Sequence, residues 1–323
     1  MLPFDMPRGD NLLRRAYRLA DRHDPLQEIF FMTQVPFSLV RYQASALKGI
    51  GQVALQVLLP ASRKRTGVPA MQLPAISRVV PAPAAALVDS YVAWCGAAGR
   101  YDHTLPPHMM SQWGIPLVTE LLLQTSYPLA QVINQGVTLT VRGDLPRGEP
   151  LHLRAAMHSV EEDEGRARVS VAITTGTAQA PELVEAVLHM IFIKPGHQKR
   201  KAGQDTREEP AWETVGQWQA GSQDGFQFAV LTGDFNPIHW IGLAGKFSAF
   251  KQKVLHGFGM FVRSYERLDT AGLRELDVRF LRPVPLPSQP LSVQVAPADG
   301  EGWHPLRLIG EGGKLHLAGR WRG

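Results

Sequence analysis

The sequence predicts an α+β protein. It reads as two units, each a long helix wrapped by an antiparallel sheet, behind a helical N-terminal extension. Three observations carry this. Roughly the first 70 residues place apolar side chains at helical spacing. From about residue 76 short alternating runs and recurrent turn signals replace them. That second texture then occurs twice, and a repeated pattern marks a repeated unit.

The extension, residues 1–74, contains NLLRRAYRLADRHDPLQEIF and VRYQASALKGIGQVALQVLLPASRKR. The latter is apolar on one side and basic at both ends. Such a helix either packs its apolar face on the body of the protein or lies against a membrane surface or partner. Residues 75–196 form the first unit, with VTLTVRGDLPRGEPLHLRAAM read as paired strands about a turn, and RARVSVAITTG and AVLHMIFI as further strands. Residues 197–211 lie within a charged, Gly-containing stretch almost free of apolar residues, which reads as a linker. Residues 212–323 form the second unit. In both units a glycine (Gly114, Gly257) opens a helix. A strand, a Pro-rich turn (Pro146, Pro287) and an alternating strand starting at Leu151 or Leu291 follow. Spacings agree to within roughly two residues.

Composition narrows the function. With 323 residues and 44% hydrophobic content the chain can bury a large core. A net charge of +5, from scattered cations, suits an anionic small molecule or a weak membrane-surface contact. No zinc-finger, helix-turn-helix or aromatic-basic motif points to nucleic acid. The single cysteine, Cys95, excludes an intrachain disulfide and a cysteine metal cluster. No apolar run is long enough to span a bilayer. The opening MLPFDMPRGD lacks the apolar core of a secretory signal, so a cytoplasmic setting is expected.

The chemistry concentrates in LTGDFNPIHW, residues 231–240, after the apolar run FQFAVL, which reads as a strand ended by Thr232 and Gly233. A roughly helical path from Asp234 to His239 covers somewhat more than one turn, so the two side chains can converge. A carboxylate and an imidazole sharing a water can activate it or move a proton at a carbon acid. Asn236 can orient that water or hold the loop closed. Downstream, His256 and Gly257 open the long helix, whose first N–H groups suit a developing oxyanion. Taken singly, Asp234 and Asn236 are ordinary turn formers and His239 and His256 ordinary core histidines. The ordered set Thr-Gly-Asp-x-Asn-Pro-x-His with a downstream His-Gly is much harder to reach by turn preference. The first unit has WCGAAGRYDHTLPP in its place, without a carboxylate and histidine at matching offsets. Cys95 reads as a small buried residue, and the remaining histidines show no metal-ligand spacing.

FAVLTGDFNPIHW followed by VLHGFG, and the later VRFLRPVPLPSQPLSVQV, resemble the MaoC-like dehydratases, the (R)-specific enoyl-CoA hydratase 2 family. The resemblance runs from about residue 212 to the C-terminus and implies a double hot-dog fold with one catalytic half. The other half then helps accommodate the acyl chain. It implies reversible hydration of trans-2-enoyl thioesters of coenzyme A or acyl carrier protein to (R)-3-hydroxyacyl thioesters. Carried over, Asp234 and His239 hold and activate the water, Asn236, Thr232 and Gly233 support them, and Gly257, beside His256, polarises the thioester carbonyl. Neither a metal nor a redox cofactor is implied, and one chain can act as a pseudo-dimer or pair into a homodimer. A hot-dog thioesterase and a non-catalytic acyl-binding protein are the alternatives. One departure stands out: the family's acidic position after the histidine is Ile241, in the apolar run WIGLAGKFSAF. That run either lines an acyl tunnel or, as favoured here, packs on the N-terminal helices.

Overall fold

The structure is a computed structural model that describes residues 35–58, 68–194, 209–268 and 272–323. The expectations for residues 1–34 and for most of the charged linker lie outside the described residues. Val35–Gly323 forms one compact unit.

In chain order the helices and first strands are α1 (Ala44–Leu58), β1 (Ile76–Val80), α2 (Ala85–Cys95), β2 (Thr104–Leu105) and α3 (Met110–Leu122). Then come β3 (Ile133–Val141), β4 (Leu145–Pro146), β5 (Leu151–Glu162), β6 (Arg166–Gly176) and β7 (Val184–Ile193). The second half contains β8 (Glu213–Trp218), α4 (Asp224–Thr232), α5 (Gly242–Phe247), α6 (Gly257–Tyr265), β9 (Glu275–Phe280), β10 (Leu291–Val295), β11 (His304–Ile309) and β12 (Leu315–Arg322).

Ten strands form one antiparallel sheet in the order β1-β5-β6-β7-β3-β9-β12-β11-β10-β8. Read inward from either edge, the order is the same in chain terms: the strand before the helices, then the second, third and fourth strands after them, then the first. The internal repeat is therefore a real duplication of topology, and Leu151 and Leu291 each begin the strand beside their edge strand. The halves join where β3 pairs with β9, with Val137 opposite Val278, both fully buried. Inward residues of both halves alternate with polar ones along the strands, so one apolar face packs against α2, α3, α4 and α6. This is the helix-wrapped sheet of the expected α+β class.

Three expectations need correction. The run from Phe226 to Leu231 is helix α4 and not a strand. Phe228, Ala229, Val230 and Leu231 are all buried, so the helix shows no polar face from which its period could be read. Gly233 ends it in the left-handed region with φ of 84°. Second, the strands flanking the RGDLPRGEP turn do not pair. β3 pairs with β7 and β9 while β5 pairs with β1 and β6, and β9 and β10 are separated in the same way. Each connection crosses to the far side of its half, which short-range pattern cannot show. Third, Gly114 does not open its helix but sits inside α3, where a Cβ would stand 2.7 Å from Cδ1 of Ile173. The glycine lets the helix lie close on the sheet.

α1 packs on the body, as the packed alternative for the extension holds. Ala46 is buried, and a Cβ on Gly49 would touch the Thr119 side chain at 3.3 Å. Its other face leaves Leu47, Ile50 and Leu55 exposed. No helix among the described residues is long and apolar enough to cross a membrane.

Candidate active site

The site begins at the end of α4. Thr232 is buried and its hydroxyl donates to the Phe228 carbonyl at 2.8 Å, closing the last turn. The same oxygen accepts from the Asp234 N–H at 3.5 Å. At Gly233 the backbone turns, and a Cβ would stand 2.4 Å from the Ala46 Cβ. Glycine is required there by both φ and the close approach of α1. Gln43, buried, reinforces the junction: its amide donates to the Val230 and Leu231 carbonyls, each at 3.0 Å. These carbonyls belong to the last turn of α4 and lack intrahelical partners, so Gln43 acts as a remote C-cap.

Asn236 faces solvent and its side chain accepts from the Ile238 N–H at 3.3 Å, capping the 3-10 turn Pro237–His239. This hydrogen bond holds the loop closed. Asp234, His239 and His256 come together, with ligating atoms within 4.8 Å of one another. His239 Nδ1 lies 2.7 Å from the Val254 carbonyl. A carbonyl only accepts, so Nδ1 carries the proton and Nε2 presents its lone pair beside Asp234. Burial holds His239 below the ordinary histidine range, although the Asp234 carboxylate and the Val254 hydrogen bond pull the other way.

His256 turns its ring to the Asp234 backbone and to His239. Its Nε2–H donates to the Asp234 backbone carbonyl at 2.8 Å, and its ring stacks on His239 with centroids 3.6 Å apart. Burial, reinforced by the neighbouring His239, pushes it down to about 3, so it is neutral. Its Nδ1 is buried without a hydrogen-bond partner among the described residues. The ring thus braces the Asp234 backbone and one face of His239. The three side chains together form a compact polar cluster with room for one small ligand between their ligating atoms.

Gly257 is the first residue of α6, as expected, with His256 as its N-cap. The first N–H groups of a helix have no intrahelical acceptor and carry its positive end. A Cβ on Gly257 would meet the Phe280 ring at 2.5 Å, so Phe280 closes one side of this N-terminus. Gln43, Val254 and Phe280 escaped the sequence reading. Each acts through a backbone group or a packing contact and carries no local signature.

The first half carries different side chains at the matching positions. Gly96 follows α2 in the left-handed region with φ of 80°, as Gly233 follows α4. One residue on, Ala97 stands where the second half has Asp234, and six residues on, Asp102 stands where it has His239. His108 precedes α3 much as His256 precedes α6. Cys95 is buried, as expected.

The run from Trp240 to Phe250 does not pack on the described part of the extension as a whole. Trp240 turns inward, donates to the Phe235 carbonyl at 3.2 Å and lies against Phe226. Ile241, Leu243, Phe247 and Phe250 are exposed. A helix of six residues, α5, is too short to turn all its apolar side chains to one buried face.

Comparison with known proteins agrees with this geometry. Residues 198–297 match the model of the MaoC like domain, a span that contains every candidate residue. HtdX of Mycobacterium tuberculosis superposes with a TM-score of 0.63 at 21% identity, covering 77% of this chain and 100% of that one. A MaoC-like dehydratase from Phytophthora capsici gives 0.64 at 15% identity, covering 78% and 96%. The peroxisomal multifunctional enzyme type 2 of Drosophila melanogaster gives 0.58 at 18%, covering 84% of this chain and 52% of that one. No curated protein matches by sequence. At these identities the superpositions show the fold alone, that of the MaoC-like and hot-dog structures, and within it residues 198–297 are similar to the MaoC like domain.

Proposed function

We propose that the protein is a hydro-lyase that adds water reversibly to trans-2-enoyl thioesters, giving (R)-3-hydroxyacyl thioesters. The observation that carries this reading is the tautomer of His239. With Nδ1–H held by Val254, its Nε2 lone pair is available next to the Asp234 carboxylate. In the hydration direction Asp234 and His239 hold one water between them. His239 Nε2 takes a proton as the water oxygen bonds to C3, and the C2–C3 π electrons move toward the thioester carbonyl. The Gly257 N–H, at the positive end of α6, stabilises the developing oxyanion. A proton then returns to C2 from the same pair, so no net proton or electron is gained or lost. The chemistry calls on no metal or redox group, and coenzyme A or acyl carrier protein serves only as thiol carrier.

A cavity of about 560 Å³ lies beside α1, with mixed walls: Leu87, Trp113 and Leu117 on the apolar side, Lys48, Arg78 and Glu120 on the polar one. Gln43 both lines it and packs on the turn at Gly233. In this reading the acyl tail runs from the catalytic turn past Gln43 into that space. One chain supplies both hot-dog units, so a monomer suffices, and the single buried cysteine fits a reducing cytoplasm.

The test is incubation with crotonyl-CoA and longer enoyl thioesters on either carrier, following loss of the enoyl absorbance. Hydration that disappears in Asp234→Ala and His239→Ala supports the proposal. No hydration at any chain length, or a retained rate in both variants, overturns it. Free thiol release without hydration would move the protein to the thioesterases.

A further inference from the structure

The chain leaves the catalytic turn at His239 and returns at Val254, whose carbonyl holds that histidine. The excursion between them is the most exposed apolar segment described. Leu243 is 68% and Phe247 81% exposed, and they lie one helical turn apart on α5. Ile241 and Phe250 flank them, also exposed. The apolar surface continues sideways: Trp240 lies against Phe226, and Phe226 stacks on Phe37, itself exposed. The charge is of one sign. From residue 235 to 265 there is no Asp or Glu, while Lys246, Lys251 and Lys253 lie on the excursion. Lys246 and Lys251 are exposed and have no ion-pair partner among the described residues.

We infer that this excursion is a docking element for an anionic lipid surface, set at the rim of the candidate active site. Lysine ammonium groups match phosphate headgroups, and leucine and phenylalanine side chains match the acyl boundary beneath them. A side chain 81% exposed stands clear of its neighbours, which suits insertion into a fluid better than fitting a shaped protein partner. Exposed large apolar side chains beside unpaired lysines, with no carboxylate near in sequence, form a surface that water alone does not explain. The inference does not depend on the hydration reaction.

The test is sedimentation of the full chain with phosphatidylcholine vesicles, with and without phosphatidylglycerol. Binding is expected only to the anionic vesicles. Lys246→Gln with Lys251→Gln should weaken it by about 30-fold, from the energy each surface lysine contributes. Leu243→Ser with Phe247→Ser should weaken it at least as much, because apolar burial is lost. Both pairs leave the residues around Asp234 untouched, so soluble enoyl-CoA turnover, where present, serves as a fold control. Absence of vesicle binding in the wild type overturns the inference. So does binding that neither pair of substitutions reduces. Capture of an acidic carrier protein that both pairs abolish, without vesicle binding, also overturns it and assigns the face to a protein.

Discussion

Gly233→Ala tests whether the N-terminal helix is part of the catalytic apparatus or merely attached to it. Gly233 has φ of 84°, a conformation that costs an alanine about 1–2 kcal/mol. Its new Cβ would stand 2.4 Å from the Ala46 Cβ and 3.2 Å from Gln43 Oε1. Ordinary carbon contact is near 3.5–4.0 Å, so either α1 or the turn must move, and overpacking of this kind costs about 1–3 kcal/mol. The variant should therefore lose about 2–5 kcal/mol of stability. At roughly 2–4 °C per kcal/mol this is a fall in Tm of at least about 4 °C. Because Asp234 is the next residue, kcat for enoyl-CoA hydration should fall with it. Ala46→Gly removes the facing carbon. Alone it costs about 1 kcal/mol as a glycine in a helix. In the Gly233→Ala background it should be neutral or stabilising, a coupling of about 1–3 kcal/mol, with part of kcat restored. Thermal unfolding and turnover on the four proteins read both quantities. If Ala46→Gly costs the same in either background, α1 does not press on the catalytic turn and the argument fails.

Asp234→Asn and His239→Gln should each lower kcat for hydration by about 10²–10⁴-fold with an unchanged far-UV spectrum; a smaller fall removes them from the proton-transfer step. In the proposed role His239 is a neutral base, and burial lowers its pKa, so the acid limb of kcat/KM should fall below pH 6.5. A limb at or above the ordinary histidine value would contradict the burial argument. Stability should follow the same sign. His256 is neutral when folded and pushed down to about 3, so its contribution is present above about pH 6.5 and is lost as pH falls toward 3. Tm measured from pH 7 to pH 4 should decline, and His256→Asn should flatten the decline. Arg263 and Asp224, both buried and 2.6 Å apart, hold α6 to the start of α4, with Arg263 also over the Trp94 ring. Asp224→Asn should cost about 3–5 kcal/mol in chemical denaturation by stranding the guanidinium, and Arg263→Met in the same chain should recover part of it.

The turn from Asp234 to His239 was legible because its signal is compositional and ordered. An aspartate, an asparagine before proline, and a histidine within six residues leave few structures besides a capped 3-10 turn, which is what forms at Pro237–His239. The double architecture was legible because Leu151 and Leu291, each after a Pro-containing turn, begin corresponding strands, although Gly114 and Gly257 take different places in their helices. Strand pairing was not, since β3 and β5 are near in sequence and apart in the sheet. Helix α4 was misread because burial on every side erases the polar stripe that reveals a helix. The role of His256 was hidden for a different reason. Its partner is a backbone carbonyl 22 residues upstream, and carbonyls have no sequence identity. Gln43 is the extreme case: it caps α4 from 187 residues away, and nothing in its surroundings marks it.

The two halves keep a common frame and differ in the side chains it carries. Both keep a left-handed glycine after the first helix and a histidine just before the second. Where the second half has Asp234 and His239, the first has Ala97 and Asp102. His108 has instead been drawn into the seam. Its Nε2 lies 2.6 Å from Oε1 of Glu266, at the end of α6, and its Nδ1 lies 3.0 Å from the Tyr91 hydroxyl. Tyr101 donates to the same carboxylate at 2.8 Å, and Arg100 reaches its other oxygen at 2.7 Å. Burial alone would raise Glu266, but the hydrogen bonds from His108 and Tyr101 and the charge of Arg100 outweigh it and hold the carboxyl below its usual range. A buried carboxylate so fully partnered has no oxygen left for substrate. It ties the end of α6 to the first half, so the first half sets where α6, and hence Gly257 at its other end, lies.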